Sequence, residues 1–290
     1  MLKYRVISGL TIGAGVLLGL FWLPAAGILA VLLALGIGGQ AEFYRMLRRA
    51  EIPAFTVVGT IAGIAFMTAR FLKAGPCSGG MGPGGWERIV LVLTLLAVFV
   101  RQFPQKYNTR PFETMGCTLL GIWYVPFLLS FISDLMYTWE QGGWGVLPAT
   151  GRLLVLYLIV VVKFSDIGAY TAGRLFGRHK MIPRLSPNKT WEGFAGGMLL
   201  SVAASVGFSV VLDGFLGKVP LPLGHSIVLG LILGATGVVG DLFESLLKRA
   251  SSTKDSSAAV PGMGGLLDVL DSLLFGAPVL FVYAGLVLTR

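Results

Sequence analysis

Three polar side chains at the end of one apolar segment have the spacing of a cluster on a helix. Asp241, Glu244 and Lys248 lie in the string GDLFESLLKR, at intervals of three and four residues. A helix places such positions on one face, with Ser245 beside them. Carboxylates inside an apolar segment are costly, so these residues either pair with the lysine to end a helix or take part in chemistry. The spacing alone leaves both interpretations open.

A second group of polar residues follows and favours chemistry. Lys254 and Asp255 precede a Pro-Gly-Met-Gly-Gly turn, and Asp268 and Asp271 stand three residues apart at the start of the last apolar segment. Backbone amides in a glycine turn can approach phosphate oxygens closely. Two carboxylates on one helical face can bind a hard cation, and an all-oxygen site suits Mg²⁺. The combination predicts phosphoryl or nucleotidyl transfer.

A further polar string has matching features. Asp166 stands at the end of an apolar segment, and the string SPNKTWEG precedes the next one. Ser186, or Thr190 together with Glu192, is typical of a helix N-cap. A helix N-terminus beside Lys189 would attract phosphate. Three arginines of this loop are those expected on the inner side of a membrane, namely Arg174, Arg178 and Arg184.

Together these strings resemble phosphatidate cytidylyltransferase, also called CDP-diacylglycerol synthase. That family's signature places Ser, Lys-Arg, Lys-Asp, Pro-Gly-His-Gly-Gly and two aspartates in a fixed order. The chain matches it at Ser245, Lys248, Arg249, Lys254, Asp255, Pro261, Gly262, Gly264, Gly265, Asp268, Asp271 and Ser272. Met263 replaces the usual His and Val269 the usual Arg, so no role of those two side chains is carried over.

The resemblance implies a Mg²⁺-dependent transfer of the cytidylyl group of CTP to phosphatidate from the inner leaflet, giving CDP-diacylglycerol and pyrophosphate for phospholipid synthesis. The implied catalytic residues are Asp241, Asp268, Asp271 and Lys248. The implied metal ligands are Asp241 and Asp268, with Asp271 and Asp166 as supporting candidates. The implied substrate-binding residues are Ser186, Lys189, Thr190, Glu192 as the residue that orients Lys189, Arg249, Lys254, Asp255, Gly264 and Gly265. The resemblance is compatible with one or two divalent ions, with or without a monovalent cation. It is also compatible with a homodimer.

Composition identifies the environment in which these residues must be placed. Apolar residues make up 55% of the 290 residues and charged residues only 13%, and the mean hydropathy is +0.80. Too few charges exist to coat a water-facing surface, which excludes a soluble domain or a nucleic-acid binder. The net charge of +9 is explained by basic loops on the inner side of a membrane. Glycines such as Gly230 and Gly234 are interpreted as helix-packing positions.

We therefore expect an all-α polytopic membrane protein with about nine transmembrane helices, its N-terminus cytoplasmic and its C-terminus outside. The expected spans are residues 6–21, 24–39, 54–70, 88–101, 115–133, 152–165, 193–212, 226–247 and 272–289. This arrangement places 17 of the 23 basic residues inside, as the positive-inside rule requires. Residues 1–150 form the N-terminal helices, and residues 151–290 form a catalytic region with two cytoplasmic active-site loops. The expected location is the cytoplasmic membrane.

Two other classes of protein remain as alternatives. In a transporter or channel, the acidic residues would line an ion path, although they cluster beside lysines and glycine turns and no inverted repeat is visible. A catalytically silent relative of the synthase would explain Met263 and Val269. Within the enzyme class, another lipid phosphate could replace phosphatidate, since nothing in the sequence selects the acyl chains.

Overall fold

The described part of the chain is mostly helical. The computed structural model describes residues 13–74, 85–106, 108–140, 145, 148–251 and 264–289. Its helices are α1 (Gly13–Trp22), α2 (Ala25–Arg49), α3 (Thr56–Ala74), α4 (Gly85–Gln102), α5 (Pro111–Ile122), α6 (Leu128–Tyr137), α7 (Ala149–Phe176), α8 (Trp191–Val211), α9 (Leu223–Ala250) and α10 (Leu266–Tyr283). Two short π-helical segments, Trp123–Phe127 and Ala284–Leu288, continue α5 into α6 and extend α10.

Seven helical segments in the described part of the chain are long and apolar enough to cross a bilayer. They are Ala25–Arg49, Thr56–Ala74, Pro111–Tyr137, Ala149–Phe176, Trp191–Val211, Leu223–Ala250 and Leu266–Leu288. Of the two other expected spans, the first begins before the described residues and continues as α1. The other is α4, which carries Glu87, Arg88 and Arg101 within 18 residues. A polytopic membrane protein is confirmed, whereas the count of nine and the placement of the termini remain predictions.

The chain divides into two compact units. The first comprises Met1–Tyr137, Gln141–Leu147 and Leu247–Leu270, and the second comprises Thr138–Glu140, Pro148–Leu246 and Asp271–Arg290. Leu247–Leu270 therefore groups with the N-terminal helices, and the division expected at residue 150 remains a prediction.

Helix packing in the first unit is built around Tyr44 of α2. Its hydroxyl donates to the carbonyl oxygen of Thr118 at 2.9 Å. A Cβ atom on Gly59 or Gly121 would collide with the tyrosine side chain. One turn earlier on α2, the amide of Gln40 donates to the carbonyl oxygen of Gly59 at 2.9 Å. Glycine is needed on α3 and α5 because the tyrosine fills the space between these helices.

A buried ion cluster links α3, α4 and α6 in the same unit. Arg70 Nε donates to Asp134 Oδ2 at 2.8 Å, and Arg70 Nη1 lies 3.1 Å from Glu87 Oε1. The guanidinium group also lies 4.2 Å from the centre of the Phe131 ring. Arg70 and Asp134 are each only 8% exposed. A planar guanidinium can satisfy two carboxylates and an aromatic face at once, so this arginine links the three helices.

In the second unit, small residues let three helices approach closely. A Cβ on Gly168 of α7 would collide with the carbonyl oxygen of Gly196 on α8, and a Cβ on Gly230 of α9 would lie 2.7 Å from Val202 Cα. A Cβ on Gly234 would lie 2.5 Å from Ser201 Oγ. The interpretation of Gly230 and Gly234 as packing positions is confirmed.

Two short antiparallel hairpins lie between these helices. Strands β1 (Lys180–Ile182) and β2 (Ser186–Thr190) pair with Lys180 opposite Thr190 and Ile182 opposite Ser186. Strands β3 (Phe215–Leu216) and β4 (Val219–Pro220) form the other hairpin. The first five residues of the SPNKTWEG string form β2, and α8 begins at the next residue, Trp191.

Candidate active site

The second unit contains a compact group of three carboxylates. Oxygen atoms of Asp241, Glu244 and Asp271 all lie within 4.8 Å of one another. Asp241 and Glu244 are one helical turn apart on α9, as their spacing predicts, and Asp271 lies on α10. Gly240 makes this approach possible, because a Cβ there would collide with the carbonyl oxygen of Asp271.

The burial of Glu244 and Asp271 favours the binding of a cation by this group. Glu244 is 1% exposed and Asp271 is 5% exposed, whereas the side chain of Asp241 is 45% exposed. Like charges this close repel one another, and the repulsion is stronger where water is excluded. A positive charge on the open side, next to Asp241, would offset it. The donor atoms are all carboxylate oxygens, which is the chemistry that Mg²⁺ prefers.

Lys189 supplies one positive charge at this place. Its Nζ atom lies 2.8 Å from Asp241 Oδ2 and donates to the carbonyl oxygen of Val238 at 3.3 Å. The lysine is the penultimate residue of β2, so the hairpin carries it to the face of α9. The two residues are 52 positions apart, and no sequence motif joins them.

A second lysine, Lys163 of α7, lies close to the residue that follows Asp271. Lys163 Nζ lies 3.1 Å from Asp166 Oδ2 and 3.2 Å from Ser272 Oγ. Ser272 follows Asp271 directly, and its backbone amide donates to the Asp271 carboxylate. Asp166, expected as a supporting metal ligand, therefore forms an ion pair one turn along its own helix. Lys163 was not among the expected site residues.

The start of α8 confirms one expectation and corrects another. Thr190 is the N-cap, and its hydroxyl oxygen accepts a hydrogen bond from the Gly193 amide at 3.1 Å. Glu192 was expected to orient Lys189. It instead accepts hydrogen bonds from the amides of Arg178 and His179, at 3.1 and 3.2 Å, and from the His179 ring. That expectation is wrong, because an acidic side chain in the first turn reaches back to amides of the preceding loop.

In the first unit, Lys248 and Asp268 form a close ion pair. Asp268 also accepts a hydrogen bond from the Gly265 amide at 2.6 Å, which is the reach-back contact of a helix capping box. The amide of Gly265, which is among the expected substrate-binding residues, thus donates to Asp268. Gly264 has a φ of +101°, and a Cβ there would lie 2.6 Å from Asp268 Oδ2. Only glycine fits this turn well.

The remaining expected residues are distributed between the units. Ser186 begins β2 and is partly exposed, and Arg249 is exposed near the end of α9. Lys254, Asp255 and Met263 lie outside the described residues. Glu244 is the residue that the sequence-based metal set omitted. Its spacing of three from Asp241 was the available signal.

Comparison with known proteins identifies the family of this chain. The model of the cytidylyltransferase family matches residues 3–287. A phosphatidate cytidylyltransferase of Mycobacterium bovis is 30% identical over 99% of this chain and 88% of its own. Proteins of the same name from Haemophilus influenzae and Bacillus subtilis are 29% and 34% identical, over 96% and 66% of this chain and 96% and 64% of their own. A match over nearly the whole length, spans and polar strings together, shows that the chain belongs to the cytidylyltransferase family.

Proposed function

We propose that this protein transfers the cytidylyl group of CTP to phosphatidate, giving CDP-diacylglycerol and pyrophosphate. The observation that carries the proposal is the group of the buried Glu244 and Asp271 with the part-exposed Asp241, and with Lys189 beside it. An acidic cluster at the end of apolar helices serves a reaction in which polyanions meet at a membrane. The relatives named phosphatidate cytidylyltransferase indicate which polyanions these are.

The bond changes in this reaction are simple. A phosphate oxygen of phosphatidate forms a bond to the α-phosphorus of CTP. The bond from that phosphorus to the oxygen bridging the β-phosphate breaks, and pyrophosphate leaves. Such a transfer needs mainly positioning and neutralisation of charge. No covalent intermediate on the protein is required.

Asp241, Glu244 and Asp271 would hold a divalent cation, for which Mg²⁺ is our candidate. Such an ion supplies positive charge that offsets the charge of the reacting phosphates. Lys189 holds Asp241 in place through their ion pair, and we assign it a contact with a substrate phosphate. Asp268 stays in the proposed catalytic set with Lys248, since breaking their ion pair would release an ammonium group for a phosphate and a carboxylate for a cation.

We propose that further polar residues of the chain bind the two substrates. Lysine offers a compact point charge and arginine a bidentate fork to phosphate oxygens. The proposed contacts come from Ser186, Thr190, Arg249, Lys254 and Asp255, with Asp166 holding Lys163. Glu192 is assigned to shaping the loop before α8 and Gly264 to shaping the turn before α10.

The distribution of charge supports a proposal for the position in the membrane. We propose nine spans, with the N-terminus in the cytoplasm and the site at the cytoplasmic face of the inner membrane. Phosphatidate would then enter laterally from the inner leaflet, and pyrophosphate would leave into water. Glycine-rich helix faces are compatible with a homodimer.

One experiment tests the proposal directly. The purified protein is incubated with radiolabelled CTP, phosphatidate and Mg²⁺, and a lipid-soluble cytidine product is sought together with pyrophosphate. Asp271→Asn should abolish both products, whereas Asp213→Asn, a change of an exposed aspartate in the loop before β3, should leave them unchanged. Product formation without added phosphatidate, or full activity of Asp271→Asn, would contradict the proposal. An ion flux through liposomes without product would favour a transporter.

A further inference from the structure

We propose that Glu42 of α2 is a positioning residue for this reaction, because it holds the first turn of α10 and thereby Asp268. The inference rests on the proposed function for its kinetic part only. Its structural part concerns how the helix start is fixed, and that part can be tested whatever the reaction is.

The geometry at the start of α10 is specific. Glu42 Oε1 accepts a hydrogen bond from the Leu266 amide at 3.0 Å, and Glu42 Oε2 accepts one from the Leu267 amide at 2.9 Å. The amide of the preceding residue, Gly265, is bound to Asp268. Two carboxylates therefore bind three successive amides that a helix leaves without internal partners.

The source of this cap is unusual. A helix N-terminus is ordinarily capped by a side chain within a few residues of it, whereas Glu42 is 224 positions away from Leu266. Glu42 is only 3% exposed, and burying a carboxylate is costly unless it accepts hydrogen bonds. Two amide donors and the positive end of the α10 dipole supply that compensation.

Packing beside the carboxylate fixes the same contact. A Cβ on Gly38, one turn before Glu42 on α2, would lie 2.5 Å from a side-chain carbon of Leu266. A Cβ on Gly39 would lie 3.7 Å from side-chain carbons of Leu267 and Leu270. The glycine face of α2 thus receives the apolar side chains of the first α10 turn while Glu42 binds its amides.

The consequence concerns Asp268, the third residue of α10. Its carboxylate is engaged by the ion pair with Lys248 and by the Gly265 amide. A slip of the first turn by a fraction of a residue would move that carboxylate relative to Lys248. Displacements of about 1 Å in a reacting arrangement can cost roughly 100-fold in rate. Glu42 would thus affect turnover without contacting a substrate.

The test compares Glu42→Gln, Glu42→Asp and Glu42→Ala with the wild type. Glu113→Gln is the matched control, because Glu113 is another helical glutamate of the first unit, in the first turn of α5, but its side chain is half-exposed and pairs with Arg110. Two quantities are measured in each protein: hydrogen exchange of the peptide covering residues 264–270, and kcat with KM for CTP. Glutamine keeps the size of the side chain, so Glu42→Gln remains informative if Glu42→Ala fails to fold.

We expect Glu42→Gln to speed exchange in that peptide and to lower kcat roughly 10-fold to 100-fold with KM for CTP within about twofold. Glu42→Asp, which keeps a carboxylate, should have a higher kcat than Glu42→Gln. Unchanged exchange in Glu42→Gln would overturn the cap, and unchanged kcat with faster exchange would overturn the positioning role. If the wild type made no CDP-lipid, the proposed function would fail, and the exchange measurement would still decide whether Glu42 holds the turn.

Discussion

The ammonium group of Lys189 lies 2.8 Å from the carboxylate of Asp241. This contact brings the hairpin before α8 to the acidic face of α9. The lysine side chain is 20% exposed and the aspartate 45% exposed, so the pair is open enough for a phosphate to compete for the lysine. A pair of this kind contributes little to stability. Its value lies in holding a charge where two polyanions would meet.

Lys189→Met should therefore reduce activity much more than stability. Loss of a residue that orients a ligand carboxylate typically costs 10-fold to 100-fold in activity or metal affinity, and the melting temperature should change little. The measurement is kcat and KM for CTP together with a melting curve in detergent. Lys180→Met, an exposed lysine of the same hairpin, is the control. If Lys180→Met and Lys189→Met lowered the activity equally, Lys189 would contribute only to the general positive charge of the loop and not to the site.

Glu244→Gln tests the cation site from its most buried ligand. Removing one of three charges should weaken divalent ion binding, and the loss of activity should exceed the roughly 10-fold to 100-fold seen for residues behind a ligand. In the wild type, Mg²⁺ should raise the melting temperature and a chelator should abolish that rise. In the variant the rise should be absent or need far more Mg²⁺. If Mg²⁺ leaves the melting temperature of the wild type unchanged, that result would argue against the cation site.

The sequence was informative where the relevant contact is local. The interval of three between Asp241 and Glu244 correctly predicts a shared helical face, and the Thr190 hydroxyl correctly predicts an N-cap, since both depend on a few consecutive residues. The predicted contact between Lys189 and Glu192 is not formed. The two are close in sequence but separated by the end of a strand, so their side chains find different partners.

Contacts between distant segments could not be predicted in this way. Glu42 lies in the string AEFYRM, which has no catalytic signature, and its partners are more than 200 residues away. Arg70 is one of the six basic residues that the expected spans leave on the outer side, because charge counting does not distinguish a loop cation from one buried against Asp134. Helical periodicity likewise shows which residues share a face, but not which neighbouring helix covers it.

Asp134→Ala should destabilise the first unit strongly. It would leave Arg70 buried with one carboxylate instead of two, and breaking a buried ion pair from one side costs about 3–5 kcal/mol. Denaturation in mixed detergent would measure the difference in free energy of unfolding. Glu113→Ala breaks an exposed pair with Arg110 and should cost less than about 1 kcal/mol. Similar losses in both variants would contradict the buried character of the cluster.

The hydrogen bond between Thr150 and Glu140 should give a small, acid-sensitive contribution to stability. The Thr150 amide donates to Glu140 Oε2 at 3.0 Å, and this hydrogen bond lowers the pKa of Glu140 below its ordinary value of 4.5, with help from Lys218. A lowered pKa in the folded state means that the stabilisation is present above pH 4.5 and is lost as the pH falls below it. Wild type and Glu140→Gln should thus differ at pH 7 by less than about 1 kcal/mol, because the carboxylate is solvent-screened, and should converge in acid.

Gly240→Ala tests whether the close approach of α9 and α10 in the second unit matters for the carboxylate group. The added methyl would collide with the carbonyl oxygen of Asp271, so the two helices must separate or Asp271 must turn away. Overpacking of this kind costs about 1–3 kcal/mol. The control is Gly224→Ala in the first turn of the same helix, where an added Cβ meets nothing within 4 Å. That change should be neutral or slightly stabilising, because alanine restricts the unfolded chain.

The decisive quantity for Gly240→Ala is the concentration of Mg²⁺ needed for half-maximal activity. If helix separation spreads the three carboxylates, this concentration should rise even in the fraction of protein that remains folded, and excess Mg²⁺ should restore part of the activity. If the substitution only destabilised the fold, activity per folded molecule and its Mg²⁺ requirement would match the wild type. That result would show that the cation does not depend on the spacing between Asp241 and Asp271, and the carboxylate group would then have to be interpreted as a structural feature of the helix ends.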